Sequence, residues 1–185
     1  MSNITILNFS SRNTGNCGNI SRHIVRKYAN YNANVFMIDQ QIGPCGNCDY
    51  ECLKPGEKCP NVTIYLKQAL DSVLQSDICY LILPNFCGGP CANYYAFNER
   101  SVGYFGMDRS IMQQYMAVKK RFIIVSNTEG PAFDLAIQQQ TSGDADVLFL
   151  KTGKYGKRSI AGDLLESAQA LADLDQFLEA YLPEH

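Results

Sequence analysis

The stretch from residue 8 to residue 20 has the composition of an anion-binding loop. It reads Asn-Phe-Ser-Ser-Arg-Asn-Thr-Gly-Asn-Cys-Gly-Asn-Ile, after an apolar run and before a helix-like pattern. Glycine lets backbone N–H groups approach phosphate oxygens, hydroxyl and amide side chains add donors, and a helix N-terminus adds partial positive charge. The loop contains neither G-x-x-x-x-G-K-[ST] nor G-x-G-x-x-G, which excludes the common triphosphate and dinucleotide motifs. An ordinary polar loop between a strand and a helix is the alternative interpretation.

Four cysteines after the second apolar run form the other group of residues that could do chemistry. They are Cys45, Cys48, Cys52 and Cys59, with the spacing C-x2-C-x3-C-x6-C. Thiolates are soft ligands that select zinc or an iron–sulfur cluster. A [4Fe–4S] cluster, structural zinc, and free or paired thiols without a metal are therefore three open hypotheses.

Composition indicates one globular domain over residues 1–185. Hydrophobic residues make up 46% and charged residues 18% of the chain, as in proteins that bury a sizeable core. The net charge of −2 gives no basic surface for nucleic acid, and no apolar run is long enough to span a membrane. The N-terminus lacks a signal-peptide pattern. We therefore expect a cytoplasmic protein whose cysteines are thiols or metal ligands rather than disulfides.

Short apolar runs alternate with longer helical patterns along the chain. Strands are predicted at Ile4–Leu7, Asn34–Ile38, Ile78–Leu83, Phe122–Ser126 and Asp146–Leu150. Helices are predicted at Gly18–Ala29, Val62–Leu74, Tyr94–Val118 with interruptions, Pro131–Gln140 and Asp163–Tyr181, the last with Asp163 as its N-cap. Near-continuous apolar strands indicate a parallel sheet covered on both faces. We predict an α/β three-layer sandwich with five parallel strands in the flavodoxin-like order 2-1-3-4-5, and a cysteine-rich insertion at about 43–60.

Two further loops lie where a ligand is expected, beyond the carboxyl ends of the strands. The third strand ends in Pro-Asn-Phe-Cys-Gly at residues 84–88, which suits a flat ring because glycine allows close backbone approach. A tight turn without a ligand is the alternative there. The fourth strand leads into Ser-Asn-Thr-Glu-Gly at residues 126–130, where Asn127 and Thr128 could donate hydrogen bonds.

The first loop resembles the phosphate loop of the NAD(P)H-dependent FMN reductases and iron–sulfur flavoproteins. That loop reads roughly Gly-Ser-Pro-Arg-x-x-Gly-Asn-Thr, and its Arg-x-x-Gly-Asn core is intact here from Arg12 to Asn16. Phe9, Ser11 and Cys17 stand where the family has Gly, Pro and Thr.

The later parts of the chain carry the same resemblance with decreasing specificity. Residues 84–88 are similar to the family's Pro-x-Tyr-Phe-Gly segment, and residues 126–130 match its Thr-Gly-Gly loop loosely. Glu99-Arg100 stands where the family has Asp-Arg. The cysteine spacing resembles the compact cluster motif of iron–sulfur flavoproteins, with one extra residue in the middle gap.

The resemblance implies FMN as the cofactor and NADH or NADPH as the hydride donor. It assigns the FMN phosphate to Ser10, Arg12, Gly15, Asn16 and Cys17. It assigns the flavin ring to Pro84, Asn85, Phe86, Cys87, Gly88, Ser126, Asn127, Thr128 and Gly130. No catalytic acid or base is expected, because the hydride passes directly to the flavin.

Two other functions stay open at this point. One is a single-electron carrier with an iron–sulfur cluster on the four cysteines; the net charge of only −2 and the absence of Trp disfavour a simple flavodoxin. The other is a flavin-free binding module. We expect a small molecule or a protein as the electron acceptor, and a homo-oligomer, for which the aromatic residues 94–97 and 104–105 could form either a contact or core packing.

Overall fold

The computed structural model describes residues 2–39, 42–43, 45–46, 48–142 and 145–180. The strands are β1 Asn3–Asn8, β2 Asn32–Met37, β3 Ile78–Phe86, β4 Gly89–Pro90, β5 Lys119–Ser126 and β6 Asp146–Lys151. The α-helices are α1 Asn16–Lys27, α2 Ile64–Leu74, α3 Ala92–Phe105, α4 Arg109–Ala117, α5 Phe133–Gln138 and α6 Ala168–Glu179. Within the described ranges, none of the helices has the length and apolar character needed to cross a bilayer.

The sheet confirms the predicted α/β fold. Its strands are hydrogen-bonded in the order β2-β1-β3-β5-β6, and all four of these pairings are parallel. This is the flavodoxin-like order predicted for the five apolar runs. The difference is the two-residue strand β4, which turns back and pairs with the end of β3 in antiparallel register.

The core lies in two clusters, one on each face of the sheet. Successive side chains of a strand point to opposite faces, so Leu7 packs on the side of α2 to α5, whereas Ile6 packs on the side of α1 and α6. The same division holds on β3 for Leu81 and Tyr80. Both faces of the strands are therefore covered, which explains why the central strands read as continuous apolar runs.

Two helix predictions need correction. The interrupted pattern over 94–118 is two helices, because Gly106 has a positive φ of 53° and the Asp108 carboxylate accepts hydrogen bonds from the first-turn N–H groups of α4. The prediction that Asp163 caps the last helix is wrong. Asp163 precedes a 3-10 turn and pairs with Lys157 at 3.3 Å. Ser167 caps α6 instead, and the predicted end at residue 181 lies outside the described residues.

A buried lysine lies at the amino-terminal edge of the parallel sheet, opposite to the cleft edge. Lys120, on β5, is 2% exposed, and its ammonium donates to the carbonyl oxygens of Tyr115 and Val118 at the end of α4. Cations suit that position because the last carbonyls of a helix carry partial negative charge. Burial nevertheless lowers the pKa of Lys120 from 10.5 to about 8.

The lowered pKa of Lys120 predicts a specific dependence of stability on pH. Below pH 8 the folded and unfolded states both hold the proton, so the cost of burying the charge is present in full. Between about pH 8 and 10.5 the unfolded state binds more protons, and the free energy of unfolding rises with pH. Relative to Lys120→Met, the wild type should gain on the order of 3 kcal/mol across this window, measured by urea denaturation.

The control for that experiment is Lys119→Met, which removes the neighbouring lysine that pairs with Asp146 at the surface. This variant should keep the slope of the wild type between pH 8 and 10.5. Parallel stability curves for the wild type and Lys120→Met would mean that Lys120 stays protonated in the folded protein throughout the window.

Candidate functional site

A cleft of about 530 Å³ opens at the carboxyl ends of the central strands. Parallel strands place their carboxyl ends at one edge of the sheet, so the loops after β1 and β3 meet there. The cleft is lined by Phe9, Ser10, Ser11, Arg12, Gly15, Asn16, Pro84, Asn85, Phe86, Cys91, Ala92, Asn93, Val125, Ser159 and Ile160. Its volume is in the range of sites for small organic ligands.

The loop between β1 and α1 is held closed by short-range hydrogen bonds. The buried Asn8 side chain accepts from the Ser10 N–H at 2.9 Å and donates to the Ser21 hydroxyl at 2.9 Å. The Ser10 hydroxyl accepts from the Arg12 N–H at 3.2 Å. These bonds set the path of the chain from the strand to the helix, and they place Ser10, Arg12 and Gly15 together in the cleft wall.

The N-terminus of α1 is suited to an anion. Gly15 occupies the N-cap position, so no side chain binds the N–H groups of the first turn, and that turn contains no acidic residue. The first N–H groups of a helix have no acceptor within the helix, and they carry partial positive charge. The Arg12 guanidinium adds a full charge to the same part of the cleft.

Gly18 is required by the tight fit of this loop against the helix. A Cβ at Gly18 would lie 1.9 Å from the carbonyl oxygen of Asn13, far inside contact distance. Gly15, by contrast, has an ordinary extended conformation, and a Cβ there would meet its nearest atom at 3.5 Å. The sterically essential glycine is therefore the one inside the helix.

The side chains of Asn16 and Cys17, which the family resemblance assigns to the phosphate, are engaged within the fold. The Asn16 amide donates to the Ser159 carbonyl at 3.0 Å, and its oxygen accepts from the Leu164 N–H at 2.9 Å. The Cys17 thiol packs in the core beside Ile20, and burial raises its pKa to about 12. Both residues can therefore face a ligand through their backbone N–H groups, while their side chains serve the fold.

The segment 158–162 forms a wall of the cleft that sequence reasoning missed. Arg12 donates to the Ile160 carbonyl at 3.0 Å, and Asn19 donates to the Gly162 carbonyl at 2.6 Å. These contacts join residues more than 140 positions apart, and no local pattern marks them. A second missed wall is the start of α3, where Cys91 and Asn93 donate to the Phe9 carbonyl at 3.2 and 3.1 Å.

The segment 84–88 is part of a β-hairpin. β3 continues to Phe86, and the next two residues both have positive φ, 52° at Cys87 and 88° at Gly88, as in the two-residue turns that join antiparallel strands. Pro84, Asn85 and Phe86 line the cleft, while Cys87 and Gly88 form the turn at its rim. Phe86 is 62% exposed there.

Asn85 joins the exits of β3 and β5. Its amide donates to the Ser126 hydroxyl at 2.6 Å and to the Glu129 carbonyl at 3.0 Å. A carbonyl only accepts, so the nitrogen must face Glu129. The Asn85 side-chain oxygen is buried, and it accepts no hydrogen bond from the described residues.

The other residues predicted at the ring lie beside the cleft and do not line it. Ser126 is buried and fully engaged, because it also accepts from the Thr128 N–H and donates to the Thr128 carbonyl. Asn127 and Thr128 are exposed. Gly130 packs between two aromatic rings, and a Cβ there would lie 2.7 Å from Phe133. The loop after β5 therefore acts through Asn85, whose amide it binds at Ser126 and Glu129.

The cysteine insertion is held against α3. The Cys45 N–H donates to the Glu99 carboxylate at 3.1 Å, and Arg100 donates to the Gly43 carbonyl at 3.2 Å. Glu99 and Arg100, which stand where the family has Asp-Arg, thus hold the cysteine insertion. At the other end of the insertion the Cys59 sulfur packs on Gly103, and a Cβ added to that glycine would lie 2.8 Å from the sulfur.

The described part of the cysteine insertion presents no metal-binding group. Burial and the neighbouring thiols of Cys59, Cys48 and Cys45 raise the pKa of Cys52, so the sulfurs are near one another. Among the described residues, however, no three of His, Cys, Asp and Glu are close enough to hold a metal ion, and all four cysteines are free. This geometry gives no support to a [4Fe–4S] cluster or to zinc, which remain predictions.

No protein-family model and no curated protein sequence matches the chain. Among solved structures, Trp repressor binding protein from Bacillus subtilis superimposes with a TM-score of 0.62 and 16% identity, covering 97% of this chain and 99% of that one. An azoreductase from Bacillus anthracis gives 0.61 and 11%, covering 97% and 98%. The apo form of an NADH:FMN oxidoreductase gives 0.54 and 12%, covering 100% and 92%. At these identities, the similarity establishes the shared flavodoxin-like fold.

The two glycines of the first loop predict unequal losses of stability for the same substitution. Gly18→Ala should lower the free energy of unfolding by about 1–3 kcal/mol, because the added methyl group overlaps the Asn13 carbonyl and the loop must move. Gly15→Ala should cost less than about 1 kcal/mol, since the site has room. Urea denaturation of both variants tests this contrast; equal losses would contradict the packing described for Gly18.

Proposed function

We propose that the protein is an FMN-dependent oxidoreductase that accepts hydride from NADH or NADPH, a member of the FMN reductase group that its loops resemble. The observation that carries the proposal is the N-terminus of α1, which faces the cleft beside Arg12 without a capping side chain. The flavodoxin-like fold supports the proposal, and so do the structural neighbours, which include an azoreductase and an NADH:FMN oxidoreductase.

The described residues fit FMN at both ends of the cleft. At one end, the first turn of α1 and the Arg12 guanidinium provide backbone donors and a positive charge for the phosphate. At the other end, the buried Asn85 oxygen lacks a donor, and such an orphan acceptor is costly. The flavin ring carries one N–H group between two carbonyls, so it can supply the missing donor.

Bound FMN would supply hydride transfer, since the flavin accepts two electrons from a nicotinamide and passes them on. The protein's own contribution is to orient the ring and to exclude water. Asn85 is suited to fix the edge of the ring, because Ser126 and Glu129 hold its amide in one orientation. The exposed Phe86 ring offers an apolar rim, which suits a small aromatic acceptor.

The electron-carrier alternative has less support. It depended on a cluster at the four cysteines, and these do not form a metal-binding group among the described residues. A homo-oligomer remains a proposal. Tyr94 and Phe97, two of the aromatic residues considered for a contact between subunits, are buried in the single chain and belong to its core.

The test is to titrate the purified protein with FMN and then to follow the oxidation of NADH and NADPH. We expect resolved flavin absorption bands, quenching of FMN fluorescence with saturation, and steady-state turnover with an added quinone or azo acceptor. Iron and sulfide are assayed on the same anaerobic sample, because an electron carrier with an iron–sulfur cluster would contain both and the proposed reductase would contain neither. A protein that binds FMN but does not oxidise either nicotinamide is a carrier, and one that binds no FMN contradicts the proposal.

A further inference from the structure

The segment 158–162 is bound to the phosphate loop through its backbone. The three side chains that reach it come from the start of the chain: Arg12 binds the Ile160 carbonyl, Asn16 the Ser159 carbonyl, and Asn19 the Gly162 carbonyl. The Asn16 amide also lies 3.4 Å from the Arg158 carbonyl. Every one of these contacts uses a carbonyl oxygen of the segment as acceptor.

This arrangement removes an electrostatic obstacle to anion binding. Carbonyl oxygens that point at an anion repel it, and donors that engage them neutralise that repulsion. The nearby carboxylate of Asp163 pairs with Lys157 at 3.3 Å through one oxygen, and its other oxygen is buried without a hydrogen-bond partner among the described residues. Lys157 also pairs with Glu166 at 3.1 Å. The carbonyl oxygens that border the cleft beside Arg12 are therefore engaged by donors from the start of the chain.

The backbone of the segment also requires a glycine at its end. Gly162 has a φ of 80°, and a Cβ there would lie 2.9 Å from the Thr14 carbonyl oxygen. The chain therefore passes very close to the phosphate loop. This close approach brings Ser159 and Ile160 into the cleft wall next to Arg12, Gly15 and Asn16.

The Ser159 hydroxyl is a polar group in the wall of the cleft that the fold does not use. Ser159 is half-buried and lines the cleft. Its carbonyl accepts from Asn16, whereas its hydroxyl makes no hydrogen bond to any part of the chain that the structure describes. A serine hydroxyl can donate one hydrogen bond, and a charged phosphate oxygen is its strongest acceptor.

We propose that Ser159 is a phosphate-binding residue, and that the segment 158–162 makes the site selective for a flavin that carries a phosphate over one that does not. This inference rests on the proposed function, because it takes FMN as the ligand. It assigns to the connection between β6 and α6 a role in recognition that complements the loop between β1 and α1. Asn16 is then the positioning residue that couples the two.

The experiment compares the dissociation constants of FMN and riboflavin, which differ only by the phosphate. Both are titrated against the apo-protein by fluorescence quenching. Ser159→Ala should weaken FMN binding about tenfold, as expected for the loss of one hydrogen bond to a charged group, and should leave riboflavin binding within twofold. Ser159→Thr keeps a hydroxyl and should restore FMN binding to within about threefold of the wild type.

Ser142→Ala is the matched control, since Ser142 is exposed and contacts the Met116 carbonyl away from the cleft. It should leave the binding of both flavins unchanged. The ³¹P resonance of bound FMN gives a second readout, and it should shift between the wild type and Ser159→Ala but not between the wild type and Ser142→Ala.

Three results would overturn the inference. An unchanged ratio of the two dissociation constants in Ser159→Ala, with an unchanged ³¹P shift, means that the hydroxyl does not touch the phosphate. An equal loss of FMN and riboflavin binding means that Ser159 only supports the cleft. A wild-type protein that binds neither flavin defeats the proposed function itself, and this outcome is distinct from the first two, in which FMN still binds to the wild type.

Discussion

The N-terminus of α1 is the feature on which the rest of the site depends. A helix begins with N–H groups that have no partner within the helix, and most helices satisfy some of them with a Ser, Thr, Asp or Asn at the N-cap. Here the cap is Gly15, so these donors stay available to a ligand. The adjacent Arg12 and the absence of acidic residues in the first turn favour an anionic one.

Two buried polar side chains hold this helix end in place. Asn8 ties the end of β1 to the helix, and Asn16 ties the helix to the segment 158–162. Both are buried, and fully satisfied polar networks of this kind fix one arrangement of the chain. The strand order makes the geometry possible, because β1 and β3 are neighbours and their carboxyl ends open into the same cleft.

Much of this could be predicted from the sequence where the signal is local. Apolar runs and helical periods predict the elements and the strand order, and the loop composition predicts the anion site. Contacts between distant residues could not be predicted in this way. The partners of Asn16 lie some 140 residues further along the chain. The spacing of Cys45 to Cys59 predicts metal ligands, but it does not show that the insertion packs on α3. Asp163 and Ser167 are both good caps, and only packing decides between them.

Binding of the FMN phosphate at the start of α1 can be tested with a crystal structure of the protein grown with excess FMN. We expect the phosphate within hydrogen-bond distance of the backbone N–H groups at the start of α1 and of the Arg12 guanidinium, with the ring extending toward Asn85. A structure in which FMN binds elsewhere, or in which another molecule fills the first turn, would contradict it.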